Sequence, residues 1–304
     1  MEKFEVVILG CGCALPTSRH FNAAQVVNLR NKLFLIDCGE GTQIQFRRNK
    51  LNFNKLGHIF ISHLHGDHFF GLMGLISTFN LLGRTAQLYV HAPAPLRNIL
   101  QPQIDYFCQE MNYEVILDEI DSTKHQLIYE ERSVEVWSLP LNHRVPCCGF
   151  LFKEKPLKKH IIADKIKQYN IPIYAINSIK DSKDYTLPDG TIIPNDQLTT
   201  PADPTRSYAY CSDTRYLPQL AEYLQDVDIL FHEATFGEDK KNLAFATYHS
   251  TAAQAATLAK ECHAKKLFIG HYSARYDDEN ILLNEAREIF PETFLTKEDE
   301  IIQI

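Results

Sequence analysis

The sequence predicts an α/β layered domain, with two sheets packed together and helices outside. Strand-like segments come first as meanders and later alternate with helical ones, the order that packed sheets with outer helices produce. At 304 residues, 45% of them hydrophobic, the chain is long enough for a sizeable core. Polar residues suited to chemistry, such as His143, Asp213 and His271, stand one to four residues beyond apolar runs, so they would cluster on one edge of a sheet.

Residues 4–9 read as a strand and Gly10-Cys11-Gly12 as a turn. Residues 25–29 and 33–36 read as a hairpin closed at 30–32, and 42–50 as a helix. A short apolar strand is expected at 57–61 and an apolar helix at 69–82, just after a His/Asp cluster. Residues 88–90 read as a strand and 95–107 as a helix, and the runs 113–120, 126–129 and 134–139 as antiparallel strands. The last third alternates: strand 208–211, helix 217–224, strand 229–231, helix 251–262, strand 267–269, helix 281–289. Gly10-Cys11-Gly12 lacks the third glycine of a dinucleotide-binding turn, and Pro16 follows it.

Residues 153–205 break this rhythm and are rich in Pro, Lys, Asp and Ile. Between 153 and 184 there are eight Lys against four acids, in a chain whose net charge is −7. The overall charge argues against indiscriminate nucleic-acid binding but leaves room for a local basic patch. A long insertion inside a compact domain is usually functional or disordered. The expected organisation is thus one domain over 1–304 carrying an inserted segment at 153–205. No apolar run reaches the roughly 18 residues of a membrane span, and the start has no basic leader, apolar stretch and cleavage site, so a cytoplasmic protein is expected. The eight cysteines read as small core residues of a reducing compartment; Cys11-Gly12-Cys13 and Cys147-Cys148 lack the gap of a zinc knuckle.

The sharpest signal is His63-Leu64-His65-Gly66-Asp67-His68, four donors in six residues. In an extended segment His63 and His65 point the same way and reach one metal. Gly66 lets the chain turn, and Asp67 and His68 then face a second position. Mixed imidazole and carboxylate donors suit Zn²⁺. His143, Asp213 and His271 are candidates to complete two sites. Asp213 is the natural bridge, since one carboxylate can serve two metals; such a pair suits hydrolysis of an ester or phosphodiester.

These residues resemble the metallo-β-lactamase superfamily over nearly the whole chain. Three further segments narrow the resemblance to the ribonuclease Z family, endonucleases of tRNA 3′ processing: His232-Glu233-Ala234-Thr235, His249-Ser250-Thr251, and 270–276 (Gly-His-Tyr-Ser-Ala-Arg-Tyr). The opening Gly10-Cys-Gly-Cys-Ala-Leu-Pro16-Thr17 is similar to the family's opening loop, although Cys11 and Cys13 stand where small hydroxyl residues are usual. The resemblance implies an αββα sandwich of two mixed sheets with an inserted protruding arm, and two Zn²⁺ per subunit. His63, His65 and His143 would hold one ion, Asp67, His68 and His271 the other, with Asp213 bridging. Asp67 would also accept the proton of the attacking water. His249 would serve the leaving 3′ oxygen, with Glu233 orienting it. Ser250 and Thr251 could instead cap the helix that follows.

The basic insertion lies where the family carries an arm that grips the tRNA elbow. Lys153, Lys155, Lys158 and Lys159 are its candidate RNA contacts, within an exosite at about 153–184. The family's arm often has a Gly-Pro-rich segment and an aromatic beside its lysines; this chain has Lys155-Pro-Leu-Lys-Lys-His160 instead. The implied partners are precursor tRNA, cut after the acceptor stem to leave a 3′ hydroxyl, and a second copy of the chain in a homodimer. Two alternatives share these residues: another two-zinc hydrolase on the same scaffold (arylsulfatase, lactonase or cyclic-nucleotide phosphodiesterase), and a non-catalytic RNA-binding relative. The lysine-rich insertion speaks against the first, and the complete ligand set against the second.

Overall fold

The computed structural model describes residues 2–304, which divide into two units: 2–153 with 206–304, and 154–205. The larger unit opens with β1 (Phe4–Gly10), β2 (Ala24–Leu29) and β3 (Lys32–Ile36), followed by α1 (Thr42–Arg48) and β4 (Leu56–Phe60). Then come α2 (Gly66–Phe69), α3 (Leu72–Leu81), β5 (Leu88–Pro93), α4 (Pro95–Phe107) and β6 (Val115–Ile120). β7 (Leu127–Glu130), β8 (Val134–Pro140) and β9 (Cys148–Glu154) lead to the inserted unit. That unit holds β10 (His160–Ile161), α5 (Ala163–Gln168), α6 (Ile173–Lys180), β11 (Tyr185–Thr186), β12 (Ile192–Ile193), α7 (Asn195–Leu198) and β13 (Thr199–Thr200). The last third of the chain returns with β14 (Ser207–Cys211), β15 (Ile229–Glu233), α8 (Lys241–Thr247), α9 (Ala252–Glu261), β16 (Lys266–Gly270), α10 (Asn280–Arg287), β17 (Thr293–Leu295) and β18 (Ile301–Gln303).

Two seven-stranded mixed sheets result, ordered β18-β1-β2-β3-β4-β5-β6 and β17-β16-β15-β14-β9-β8-β7. One core joins Phe4, Val27, Phe34 and Phe60 of the first sheet to Val136, Phe150, Phe152 and Tyr208 of the second. A second core packs Val7, Leu9, Val26 and Leu35 against Phe46, Leu75 and Leu96 of the helices α1, α3 and α4. Helices α9 and α10 cover the outer face of the second sheet with Ala255, Ala259, Leu282 and Ala286. The fold is an αββα sandwich, as expected. Strands β1 and β2 are buried along their whole length, the polar Glu5, Gln25 and Asn28 included, so their apolar residues do not follow a strict alternation. The hairpin between β2 and β3 closes at Arg30 and Asn31, with φ of 51° and 66°; two left-handed residues give the turn whose twist matches paired strands.

Several expectations are corrected. The run around β6 pairs in parallel with β5 at the edge of the first sheet, while β7 and β8 form an antiparallel hairpin in the second. Alternation along a strand reports which face is buried, not which strand lies beside it. The helix expected at 69–82 is broken. Gly71 N–H bonds to the Cys38 carbonyl at 2.9 Å, and a Cβ on Gly71 would lie 2.0 Å from the Gly39 oxygen. The helix expected at 217–224 is only a tight turn, Pro218–Glu222. β9, β17, β18 and α8 were not anticipated. The inserted unit has more order than its composition suggested, with a small core of Ile171, Ala175, Ile179, Ile193 and Leu198.

Thr251 caps α9: its hydroxyl accepts Gln254 N–H while Gln254 returns a bond to the Thr251 N–H, a reciprocal capping box. The same hydroxyl donates to Glu238 at 2.6 Å. Thr251→Ala should therefore cost about 1 kcal/mol of stability, read as a lower denaturation midpoint at unchanged slope.

Candidate metal centre and neighbouring residues

The predicted donors stand on the loops that leave the strand ends. His63 and His65 lie in the extended segment after β4, and Asp67 and His68 in the short α2. His143 follows β8, Asp213 follows β14, and His271 follows β16. Donor atoms of His63, His65, His143 and Asp213 lie within 4.8 Å of one another, and so do those of His68, Asp213 and His271. Asp213 belongs to both groups and splits its oxygens between them. Oδ2 lies 3.6 Å and 3.8 Å from His63 and His143 Nε2; Oδ1 lies 3.2 Å and 3.5 Å from His271 and His68 Nε2. Asp67 Oδ2 is 3.5 Å from both His68 and His271 Nε2, and accepts the Ala14 N–H at 2.7 Å.

The ring orientations follow from hydrogen-bond logic. Asp37 Oδ2 can only accept, so His68 Nδ1 donates to it at 2.8 Å. The Ser62 hydroxyl donates to the same carboxylate and so accepts from His63 Nδ1. The Tyr248 carbonyl accepts from His143 Nδ1 at 3.0 Å. The Thr235 hydroxyl donates to Glu233 and accepts from His271 Nδ1 at 2.9 Å. Each of these four rings is left with its Nε2 lone pair turned inward. His65 presents Nδ1, 3.1 Å from the Nε2 of both His63 and His143. Three imidazole nitrogens converging at that distance, beside a buried Asp213 Oδ1 with no hydrogen-bond partner, form a site that a cation would complete. The donor set of imidazole nitrogens and carboxylate oxygens fits divalent zinc.

The electrostatics agree. Burial disfavours the His68 imidazolium, yet Asp213, Asp67 and Asp37 outweigh it and hold its pKa at about 9, so the carboxylates create a field that favours positive charge. Burial raises the Asp67 pKa, but His68, His271 and the Ala14 N–H hold the carboxyl well below the usual range. Burial and the facing imidazoles keep His63 neutral, the form a ligand needs.

Glu233, fully buried at the end of β15, anchors the neighbouring groups. Oε1 accepts His249 Nδ1 at 3.0 Å, Ser250 N–H at 3.0 Å and Thr214 N–H at 3.1 Å; Oε2 accepts the Thr235 N–H and hydroxyl. Burial raises its pKa, but His249 and its other partners bring the carboxyl down to about 2. The depressed value stabilises the fold above the ordinary glutamate range; that contribution fades as pH falls from there towards about 2. Burial opposes charge on His249, but Glu233 and Asp213 overcome it and raise its pKa. Tyr248 ends α8 in the left-handed region at φ 64°, which turns the chain so that His249 enters this cluster; Asp37 and His271 share that conformation at 56° and 62°.

Two contributors escaped the sequence reading. Asp37 is fully buried and accepts His68, the Ser62 N–H and hydroxyl, and the Tyr210 hydroxyl. Its signal was available, since it sits directly beyond β3 as the other donors sit beyond their strands. Removing it by Asp37→Ala should weaken metal binding about 10- to 100-fold, measurable by competition with a chromogenic chelator. Cys13 is not a core residue as expected: it is partly exposed, and its sulfur lies within 4.8 Å of donor atoms of Asp67 and His271.

Lys153 is exposed at the end of β9. Within the inserted unit Lys155 is half-buried, Lys158 pairs with Asp181 at 2.8 Å, and Lys159 bonds the Asn195 side chain at 2.9 Å.

Residues 4–164 match the family model described as Anti-Pycsar protein Apyc1. Ribonuclease Z of Bacteroides fragilis is 57% identical over 304 residues, all of both chains. Among solved structures, human tRNase Z, short form, superposes with a TM-score of 0.72 at 24% identity, covering 99% of each chain. The metallo-β-lactamase fold protein YhfI of Bacillus subtilis does so at 0.69 and 17%, covering all of both.

Proposed function

This chain belongs to the ribonuclease Z family, and on that premise we propose that it is a zinc-dependent endoribonuclease that removes the 3′ trailer of precursor tRNA and leaves a 3′ hydroxyl on the tRNA. The observation that carries the reading is Asp213, whose two oxygens serve two separate groups of inward-facing imidazoles. In this reading His63, His65 and His143 would hold one zinc and Asp67, His68 and His271 the other, with Asp213 serving both. The ions would polarise the phosphodiester and supply a nucleophile at neutral pH. The protein's own groups do the rest. Asp67 stays ionised among imidazoles and would accept the proton of the attacking water. His249, held through Nδ1 by Glu233, turns Nε2 to the leaving 3′ oxygen and gives it a proton. In this reading, which follows from the family, the protein works in the cytoplasm as a homodimer. Among the described residues no helix is long and apolar enough to cross a membrane.

The inserted unit takes the tRNA body. Replacing Lys153, Lys155, Lys158 and Lys159 together by Ala should raise KM for precursor tRNA and flatten its salt dependence, by about one unit of log–log slope for each phosphate no longer neutralised. Turnover of a small phosphodiester should not change. Equal salt slopes for parent and variant would show that these lysines only scaffold the unit.

A second reading, another two-zinc hydrolase of the same scaffold, draws on the Apyc1 match. That match ends at residue 164, before Asp213, Glu233, His249 and His271. The competing readings separate on substrate preference. A kcat/KM for precursor tRNA far above that for cyclic nucleotides, lactones or aryl sulfates supports the nuclease. The reverse order would transfer the protein to a sister activity.

A further inference from the structure

Beside the donor groups lies a cavity of about 500 Å³ whose wall includes His249, Asn142, Arg215, Asn242 and Phe245. Arg215 is fixed before any ligand arrives. Its guanidinium carbon lies 3.9 Å from the Phe245 ring centroid and 3.6 Å from that of Tyr248. Its Nε donates to the Phe245 carbonyl at 2.8 Å and its backbone N–H to the Asn142 carbonyl at 3.0 Å. Among the described residues no other side-chain donor of Arg215 is hydrogen-bonded, so both terminal nitrogens remain for an acceptor. A planar cation with free N–H groups, held between aromatic rings, is a preformed phosphate clamp. Phe245 covers one side of Arg215 and is itself 64% exposed, a bare aromatic surface in the wall of the cavity. Lys241, also in the wall, is already paired with Glu238 at 2.9 Å.

A cavity of this size suits a nucleotide, and the two features match its two halves: a stacking face for a base and a fork for a phosphate. We propose that it seats the nucleotide on the 5′ side of the scissile bond, with the base stacked on Phe245 and that nucleotide's own phosphate held by Arg215. The inference rests on the reading of His249 as the group serving the leaving 3′ oxygen. That oxygen belongs to the nucleotide 5′ of the cut, so its sugar and base must lie on the His249 side, where the cavity is. Stacking tolerates every base, so the seat would set position without selecting sequence.

The test is a cycle between protein and substrate. Precursor tRNA is prepared intact, with an abasic nucleotide immediately 5′ of the cut, and with one immediately 3′ of it. Each is cleaved by the parent, Phe245→Ala and Phe245→Tyr proteins. Phe245→Ala should lower kcat/KM on the intact substrate about ten-fold, and the 5′ abasic site should lower the parent about as much. Combined, the two losses should not add, whereas Ala with the 3′ abasic site should add, and Tyr should restore the coupling. Additive losses at the 5′ position, with the parent still cutting intact precursor at the acceptor stem, would overturn the seat alone. A parent protein that cuts no precursor at all would overturn the nuclease reading and the seat with it.

Discussion

Asp213→Ala is expected to empty both metal positions and to lower turnover of precursor tRNA at least about a thousand-fold, about 4 kcal/mol of transition-state stabilisation. The expectation follows from the division of its oxygens, Oδ2 towards His63 and His143 and Oδ1 towards His68 and His271. Without the carboxylate, five imidazoles would face one another with Asp67 the one carboxylate left among the proposed ligands, and four of the five are held in place by partners of their own. The scaffold should survive, because the Thr214 N–H keeps Glu233, the Thr214 carbonyl keeps the Ser250 hydroxyl, and β14 keeps its pairing with β9 and β15. The measurement is metal per chain by elemental analysis, together with single-turnover cleavage. Full metal content in the variant would mean that Asp213 bridges nothing.

His249→Ala is expected to slow cleavage about 100- to 10,000-fold with metal content unchanged. His249 is bound through Nδ1 to the buried Glu233 and lies outside the two donor groups that contain Asp213. Glu233 itself would be left without the imidazole but would keep the backbone N–H groups of Thr214, Thr235 and Ser250. The loss should therefore fall on kcat rather than on folding. Loss of metal would reclassify His249 as a ligand, an alternative the structure frames directly, since His249, Glu233 and His271 also lie within 4.8 Å of one another.

Much of this was legible in the sequence, for reasons that also explain the rest. The donors stood out because His63, His65, Asp67 and His68 are close in the chain, and because residues just beyond apolar runs share a sheet edge. Asp37 obeys the same rule but stands in a glycine-rich loop with no histidine beside it. The strands of the first sheet were readable from apolar runs, yet the parallel pairing of β5 with β6 was not, because pairing is settled by what lies across the sheet. The break before Gly71 required knowing that the Gly39 carbonyl lies against it. β18 was invisible for a similar cause: three residues at the chain's end become a strand only because β1 offers them an edge. Arg215 carries no motif signal at all; its role appears only when Phe245 and Tyr248, distant from it in sequence, close on its guanidinium.

The central claim, a metal-dependent nuclease specific for the tRNA 3′ end, is tested most directly by one assay. A precursor tRNA with a 3′ trailer is incubated with the protein as purified, after chelation, and after zinc is restored, and the product ends are sequenced. The expected result is a single cut beside the acceptor stem leaving a 3′ hydroxyl, lost on chelation and recovered with zinc. Unchanged cutting by thoroughly chelated protein, or no cutting by zinc-loaded protein that turns over a small phosphodiester, would contradict it.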